Sequence, residues 1–383
     1  MNVPKLRFKE FTNEWNYTCL SEISTEITYG MNSASTEFDG VNKYIRISDI
    51  DDETGDFKPS NLVSPSNKIE DKFLVKKDDI LFARTGASTG KTYLYNIKDG
   101  KLYFAGFLIK AHIVNHNSNF IFQQTKLEKY KKWVKLTSMR SGQPGINSEE
   151  YSKCIFSITS LNEENKIAQF LSLLDKKIEL QTKKIEALKL FKKGLNQKML
   201  SKKGKLKKIC EYVEEYTDKT VINNQYPILS STFNGIVIQN EYFNKQAASV
   251  NNIGYKIIPK NYITYRSMSD TGKFHFNVQN KVDIGIVSPA YPVFKIKNIN
   301  SNYFLNYINE SRSFKIQIIS IKEGGTRFAL NFNKFKNLKI KIIDNVEAYG
   351  NLIGCVNRYI IIENNRLTNL NKFKKFLLQN MFV

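Results

Sequence analysis

Residues 79–95 read DILFARTGASTGKTYLY, an apolar run that breaks into glycine, serine and threonine and then Gly-Lys-Thr. The chemistry such a composition suggests is phosphate binding. Backbone N–H groups of a glycine-rich loop wrap the anion and a lysine reaches it. That motif needs four residues between its glycines, and a helix straight after the lysine whose N-terminus supports the phosphate. Here Gly86 and Gly90 enclose only Ala87, Ser88 and Thr89, and Tyr93, Tyr95 and Ile97 then alternate at period two. Alternation of that kind predicts a strand. The stretch reads as a β-hairpin and argues against an NTPase.

Other residue types that do chemistry are too dispersed to form a centre. Cys19, Cys154, Cys210 and Cys355 form no CxxC pair, which suits reduced thiols in a cytoplasmic protein better than disulfides or zinc ligands. His112 and His116 fall four apart within strand-like residues, a spacing that joins ligands on a helix only, so no metal site is expected. The start, MNVPKLRFKEF, lacks the apolar segment of a signal peptide, and no apolar run approaches the ~20 residues that span a bilayer. No membrane partner is expected.

The elements that must position the loop emerge from an internal repeat. YRSMSDTGKFHFN (265–277) carries Arg266 seven residues before Lys273, as Arg84 stands seven before Lys91. Both copies hold Thr-Gly-Lys: Thr89-Gly90-Lys91 and Thr271-Gly272-Lys273, at an offset of 182. The second copy has no counterpart of Gly86, so the shared element is an arginine, a polar loop, Thr-Gly-Lys and a strand. Near the same offset AGFLIKAH (105–112) answers PAYPVFKI (289–296), SNFIF (118–122) answers SNYFL (301–305), and SGQPGINSEEY (141–151) answers GGTRFALNFNKF (324–335). LSEISTEIT (20–28) answers ICEYVEEYT (209–217) at an offset of 189.

The clearest copy is helical. Ile167, Leu171, Leu174, Ile178, Gln181, Ile185, Leu188, Lys192, Leu195 and Met199 step by four and three, the spacing of a coiled-coil seam. Adding 182 gives Tyr349, Ile353, Val356, Ile360, Glu363, Leu367, Leu370, Lys374, Leu377 and Met381, with the polar breaks in the same places. Asn162 and Asn165 offer a capping turn for the first helix, and Gly204 suits its exit. Each helix is about 38 residues and roughly 57 Å long. Matched seams favour the two packing on each other, antiparallel.

The predicted fold is α+β: two pseudo-repeated globular domains separated by two long helices packed as an antiparallel coiled coil. An N-terminal segment (1–15) is expected to pack near the helices. Domain one follows (16–160), then the central helix (161–204), domain two (205–343) and the C-terminal helix (344–383). Strands are expected in NKYIRISDI, DILFA, KTYLYNI, YFAGFLIKAHIV and KCIFSI of domain one, with one helix over IFQQTKLEKYKKWVKL. Domain two offers YPILSST, YITYRS, FHFNVQ, IGIVS and NLKIKII.

This plan resembles the specificity subunit of a type I restriction–modification system. The resemblance includes the opening VPKLRFKEF followed by EW, and SGQPGINSEEY running into NEENKIAQFLSLLDKKIELQTKKIEALKLFKKGLNQKM. The second helix departs from the family pattern in reading YGNLIGC where the first reads NKIAQFL. The resemblance implies that each domain is a target recognition domain for one half of a split, asymmetric DNA sequence. The helices would set the spacing and dock two methyltransferase subunits, with restriction/translocase (motor-nuclease) subunits completing the assembly. It implies no chemistry and no cofactor on this chain; S-adenosylmethionine, ATP and Mg would belong to the partners. The formal charge of +22, from 58 Lys+Arg against 36 Asp+Glu, agrees with double-stranded DNA as partner. The chain also lacks an Asn-Pro-Pro-aromatic methylation motif, a Walker A motif and a nuclease cluster. A stand-alone two-domain DNA-binding regulator is the alternative.

Base reading favours Arg on guanine and Asn or Gln on adenine, whereas phosphate contacts position the protein. The candidates in domain one are Arg84, Ser88, Thr89 and Lys91, with Arg140 and Gln143. In domain two they are Arg266, Ser269, Thr271 and Lys273, with Lys322, Thr326 and Arg327. A second polar loop there, LSSTFNG (229–235), adds Ser230, Ser231, Thr232 and Asn234.

Overall fold

In a computed structural model the structure describes residues 2–139, 142–242, 251–321 and 328–383. The chain forms two compact units, Met1–Gln181 with Arg366–Val383, and Thr182–Asn365. Each unit contains part of both long helices, Leu161–Ser201 and Val346–Asn380.

In unit 1 a four-stranded antiparallel sheet has the order Ser24–Tyr29, Leu108–Ile113, Asp79–Ala83, Thr92–Leu94. The run DILFA has no polar face because both of its faces are covered. Ile80 and Phe82 join Ile109, Ala111, Phe120 and Tyr151 on one side. Leu81 and Ala83 join Ile45, Tyr93, Phe104 and Leu108 on the other. Lys43–Ile45 pairs in parallel with Leu102–Phe104, and Asn16–Cys19 pairs antiparallel with Ile155–Ile158.

Unit 2 repeats the plan. Its sheet has the order Val213–Glu215, Val293–Ile296, Ile263–Thr264, Asn277–Val278. Each strand starts 184–189 residues after its counterpart, close to the repeat offset, so the duplication read from sequence is a duplication of topology. Gly204–Lys208 pairs with Lys339–Ile343 as Asn16–Cys19 pairs with Ile155–Ile158. Helix starts match too. Asn147 Oδ1 accepts from Glu150 N at 2.8 Å, and Asn331 Oδ1 from Lys334 N at 2.8 Å, so asparagines 184 residues apart are both N-caps. The core of unit 2 is aromatic: Tyr265 meets Phe276 at 4.6 Å, and Phe276 stacks on Phe335 at 5.0 Å between ring centroids.

The two helices run antiparallel. In unit 1 Ile167, Leu171 and Leu174 share a core with Leu377, Met381 and Phe382. In unit 2 Leu195 and Met199 share one with Ile353. Ile185, Val356 and Glu363 are buried, while Ile178, Gln181, Leu188, Tyr349, Ile360, Leu367 and Leu370 are half-buried. Glu363, fully buried, accepts from Lys184 Nζ at 2.9 Å. The first helix seats its opening turn differently from expectation: Glu163 N donates to Ser160 Oγ at 3.4 Å, and Asn165 Oδ1 instead accepts from Asn117 Nδ2 at 2.7 Å. Gly204 is no helix exit. It opens a strand and lies so close to the partner strand that a Cβ would come within 2.4 Å of the Ile342 carbonyl oxygen.

The N-terminal segment packs within unit 1. Leu6 N donates to Asn380 O at 2.8 Å, and Trp15 is buried against Phe120 and Phe382. The Arg7 guanidinium grips the buried Glu163 carboxylate by a fork, Nε to Oε1 at 2.7 Å and one terminal nitrogen to Oε2 at 2.8 Å.

The single helix expected over IFQQTKLEKYKKWVKL is two, Ser118–Gln124 and Glu128–Thr137. The break has a tertiary cause. Buried Gln124 exchanges two hydrogen bonds with the Ser157 backbone, and Thr125 Oγ1 bonds Thr92 Oγ1 at 2.6 Å. The strand expected in FHFNVQ is only Asn277–Val278.

Candidate nucleic-acid interface

Strands Asp79–Ala83 and Thr92–Leu94 pair directly, Phe82 opposite Thr92, so the Thr-Gly-Lys element is the turn of a hairpin and no helix follows it. Gly86 (φ +74°) and Gly90 (φ +88°) take conformations that a side chain resists. Gly272 matches Gly90 with φ +72°, so the repeated glycine does the same backbone work in both units.

The turn rests on the segment before Asn147. Gly86 N donates to Pro144 O at 2.9 Å, and Ile146 N donates to Arg84 O at 2.9 Å. A Cβ on Gly86 would meet the exposed Gln143 amide at 3.0 Å. Fold and turn thus bring Gln143 beside the Arg84 loop. Unit 2 does the same: Met268–Ser269 pairs with Phe328–Ala329, and Leu330 N donates to Ser267 O at 2.8 Å. Arg140, Lys322, Thr326 and Arg327 lie outside the described residues.

The side chains divide by unit. Arg84 is half-buried, its guanidinium 4.7 Å from the centre of the Tyr29 ring and one nitrogen 3.4 Å from Gly106 O. Lys91 is 19% exposed and ion-paired with Asp52. Thr89 Oγ1 donates to Gly86 O at 2.7 Å and so closes the turn, while Ser88 lies half-buried in it. In unit 2 Arg266, Thr271 and Lys273 are exposed and Ser269 is half-buried, its Oγ accepting from Thr271 N at 3.3 Å.

Beneath the unit 1 turn is an open cleft of about 600 Å³ lined by Asp51, Asp52, Lys91, Lys126, Lys131 and others. Burial pushes the Lys126 ammonium down to about 8, with Lys374 adding to the effect. Mixed charge and the engaged Lys91 make this a poor phosphate cradle. Among the described residues no three His, Cys, Asp or Glu gather as metal ligands. His112 instead bonds Asp79 at 2.7 Å and His116 bonds Glu164 at 2.8 Å.

The polar loop LSSTFNG is a second hairpin, Leu229–Thr232 paired with Gly235–Ile238. Ser231 is buried and accepts from Asn277 Nδ2 at 2.8 Å, and the same amide reaches Thr232 O at 2.7 Å. Thr232 Oγ1 donates to Gly235 O at 2.9 Å. Ser231 and Thr232 therefore build the hairpin, and Asn234 at its tip is exposed. Ser230 is half-buried, 3.4 Å from Gln239 Nε2. Because Asn277 follows the Thr-Gly-Lys turn, the hairpin and the Arg266 loop are parts of one surface. Phe233, exposed at that tip, was hidden from residue-type reasoning, which looks for polar groups.

Two repeated α+β units, each joined to long antiparallel helices, with a recurring arginine and Thr-Gly-Lys turn, define a duplicated scaffold that presents loops. Residues 12–190 match the family model for the type I restriction modification DNA specificity domain. The fold is similar to that of the type I restriction–modification S subunit from M. genitalium, at 15% identity and a TM-score of 0.66, covering 100% of this chain and 99% of that one. It is also similar to a chain from a structural study of complex assembly and conformational transition in the type I R-M system. That match has 12% identity and a TM-score of 0.50, covering 96% of this chain and 97% of that one. No helix among the described residues is long and apolar enough to cross a membrane.

Proposed function

We propose that this chain is the DNA-addressing subunit of a type I restriction–modification complex, each unit reading one half of a bipartite, asymmetric target. The observation that carries the reading is the repeated sheet order with the same arginine and Thr-Gly-Lys turn in both units, set among loops that differ. Shared residues suit the shared chemistry of the phosphate backbone, and the differing loops suit different base sequences. Ser88, Thr89, Lys91, Gln143, Ser230, Ser231, Thr232, Asn234, Ser269, Thr271 and Lys273 are the described candidates beside the two arginines, and Thr89, Ser231 and Thr232 also hold turns through their hydroxyls. Lys91 reaches a phosphate only by leaving Asp52.

The helices set the spacing between half-sites and dock two methyltransferase subunits, through which the motor-nuclease subunits join. Support comes from apolar side chains that the seam leaves outside. Leu180 and Ile362, and Phe191 and Phe373, are pairs at the repeat offset, exposed by 57%, 47%, 54% and 48%. Repeated apolar positions suit two copies of one partner. S-adenosylmethionine, ATP and Mg belong to those partners in this reading.

Arg266 is the cleanest test because it is exposed, whereas Arg84 also supports Tyr29. Arg266→Ala is expected to weaken binding of all duplexes and to lower the salt slope of log K by about one unit. Salt titration of binding by the assembled complex measures this. Unchanged affinity and slope would contradict the phosphate role.

A further inference from the structure

One apolar side chain stands where a DNA-reading surface is expected to be polar. Phe233 is 71% exposed at the tip of the Leu229–Ile238 hairpin. Single exposed apolar residues are ordinary. This one is held in place. The tip is pinned by Thr232 Oγ1 to Gly235 O at 2.9 Å and by Asn234 N to Thr232 Oγ1 at 3.2 Å. The hairpin is fastened below by Asn277 and by buried Leu229 and Ile236. The ring itself rests edge-on against His275, centroids 4.2 Å apart at 74°. His275 lies two residues after Lys273, so the aromatic pair adjoins the basic loop that carries Arg266 and Thr271.

A two-stranded ribbon fits the major groove of B-DNA, about 12 Å wide, where the one apolar feature of a base edge is the thymine C5-methyl group. A ring already fixed before binding loses little conformational freedom on contact. From this surface we infer that Phe233 is a specificity-determining residue, packing its open face on a thymine methyl in the half-site read by unit 2. The inference rests on the DNA reading proposed above and adds to it a residue that carries no charge and donates no hydrogen bond.

The test uses the complex assembled with the full chain. Its preferred duplex is selected from a random pool, and each thymine in the half-site assigned to unit 2 is replaced in turn by deoxyuridine, which lacks only the methyl. The wild-type complex is expected to lose roughly fourfold in affinity at one position, about the worth of one buried methyl group. Phe233→Ala is expected to lose that sensitivity while its salt slope stays unchanged. Phe233→Leu, still apolar, is expected to retain part of it. Three results would overturn the inference: no deoxyuridine effect in the wild type, equal sensitivity in Phe233→Ala, or a half-site without thymine. Arg266→Ala run in parallel separates the two levels. If it binds normally, the reading of unit 2 as a DNA surface fails. If it weakens as expected while Phe233→Ala keeps its thymine preference, only the role of Phe233 fails. The variant removes a side chain that lies outside the hairpin's core, so circular dichroism should match wild type.

Discussion

Arg7→Met is expected to destabilise unit 1 by about 3–5 kcal/mol, the usual cost of stranding one partner of a buried ion pair. The Glu163 side chain is 1% exposed and that of Arg7 12%, and the fork between them satisfies both carboxylate oxygens. Thr159 Oγ1, 2.6 Å from Oε2, would be left as a partner too weak to offset the buried charge. The pH dependence follows from the carboxyl. Burial alone would raise its pKa, but Arg7 and Thr159 outweigh burial and hold it below the ordinary value. A depressed carboxyl contributes stability above its unfolded value of about 4.3, and that contribution is lost as pH falls through the folded value. In Arg7→Met burial dominates, the carboxyl is raised, and the penalty is relieved once it is protonated. The deficit should therefore be larger at pH 7 than at pH 4. Both tryptophans of the chain, Trp15 and Trp133, lie in unit 1, so their fluorescence during urea unfolding reports this unit. An unchanged midpoint at pH 7 would show that the fork does not anchor the N-terminal segment.

The second large effect separates two glycines that the repeat makes equivalent. Gly90→Ala and Gly272→Ala both force a side chain into positive φ, at a cost of about 1–2 kcal/mol. Gly90 carries a further penalty. Its Cβ would lie 2.5 Å from Val134 Cγ1 on the helix Glu128–Thr137, whereas a Cβ on Gly272 would meet the Phe328 ring edge at 3.2 Å. Moving that helix costs about 1–3 kcal/mol more, the range found for overpacking. Thermal denaturation followed by circular dichroism should rank Gly90→Ala well below Gly272→Ala. Adding Val134→Ala should restore part of the loss at Gly90 and none at Gly272. Equal losses in the two single variants would mean that φ alone governs both turns.

Much of this fold was legible in the residues because its signals are periodic or repeated. The steps of four and three from Ile167 to Met199 needed no tertiary knowledge, and they recur at 182 residues with the same polar breaks. Asn147 and Asn331 stand 184 residues apart in matching segments, and both are N-caps. Sheet order was beyond reach: strands of two to four residues such as Ile263–Thr264 and Lys43–Ile45 are too short to carry a period. The helix expected over 121–136 breaks because Gln124 and Thr125 turn inward to distant partners, which local propensity cannot register. The site was the least legible part. Lys91 looks free in sequence, yet Asp52 engages it from a loop far up the chain. Thr89, Ser231 and Thr232 look like DNA contacts, yet their hydroxyls hold turns together. A residue's type suggests what it can bond; only the fold determines which partner reaches it first.

The central claim is that the two units address DNA separately. Exchange residues 206–343 for the matching segment of a different specificity chain, assemble the complex, and map methylated adenines in the DNA it has modified. One half-site is expected to change to that of the donor while the other stays as it was. A change in both halves, or in neither, would contradict it.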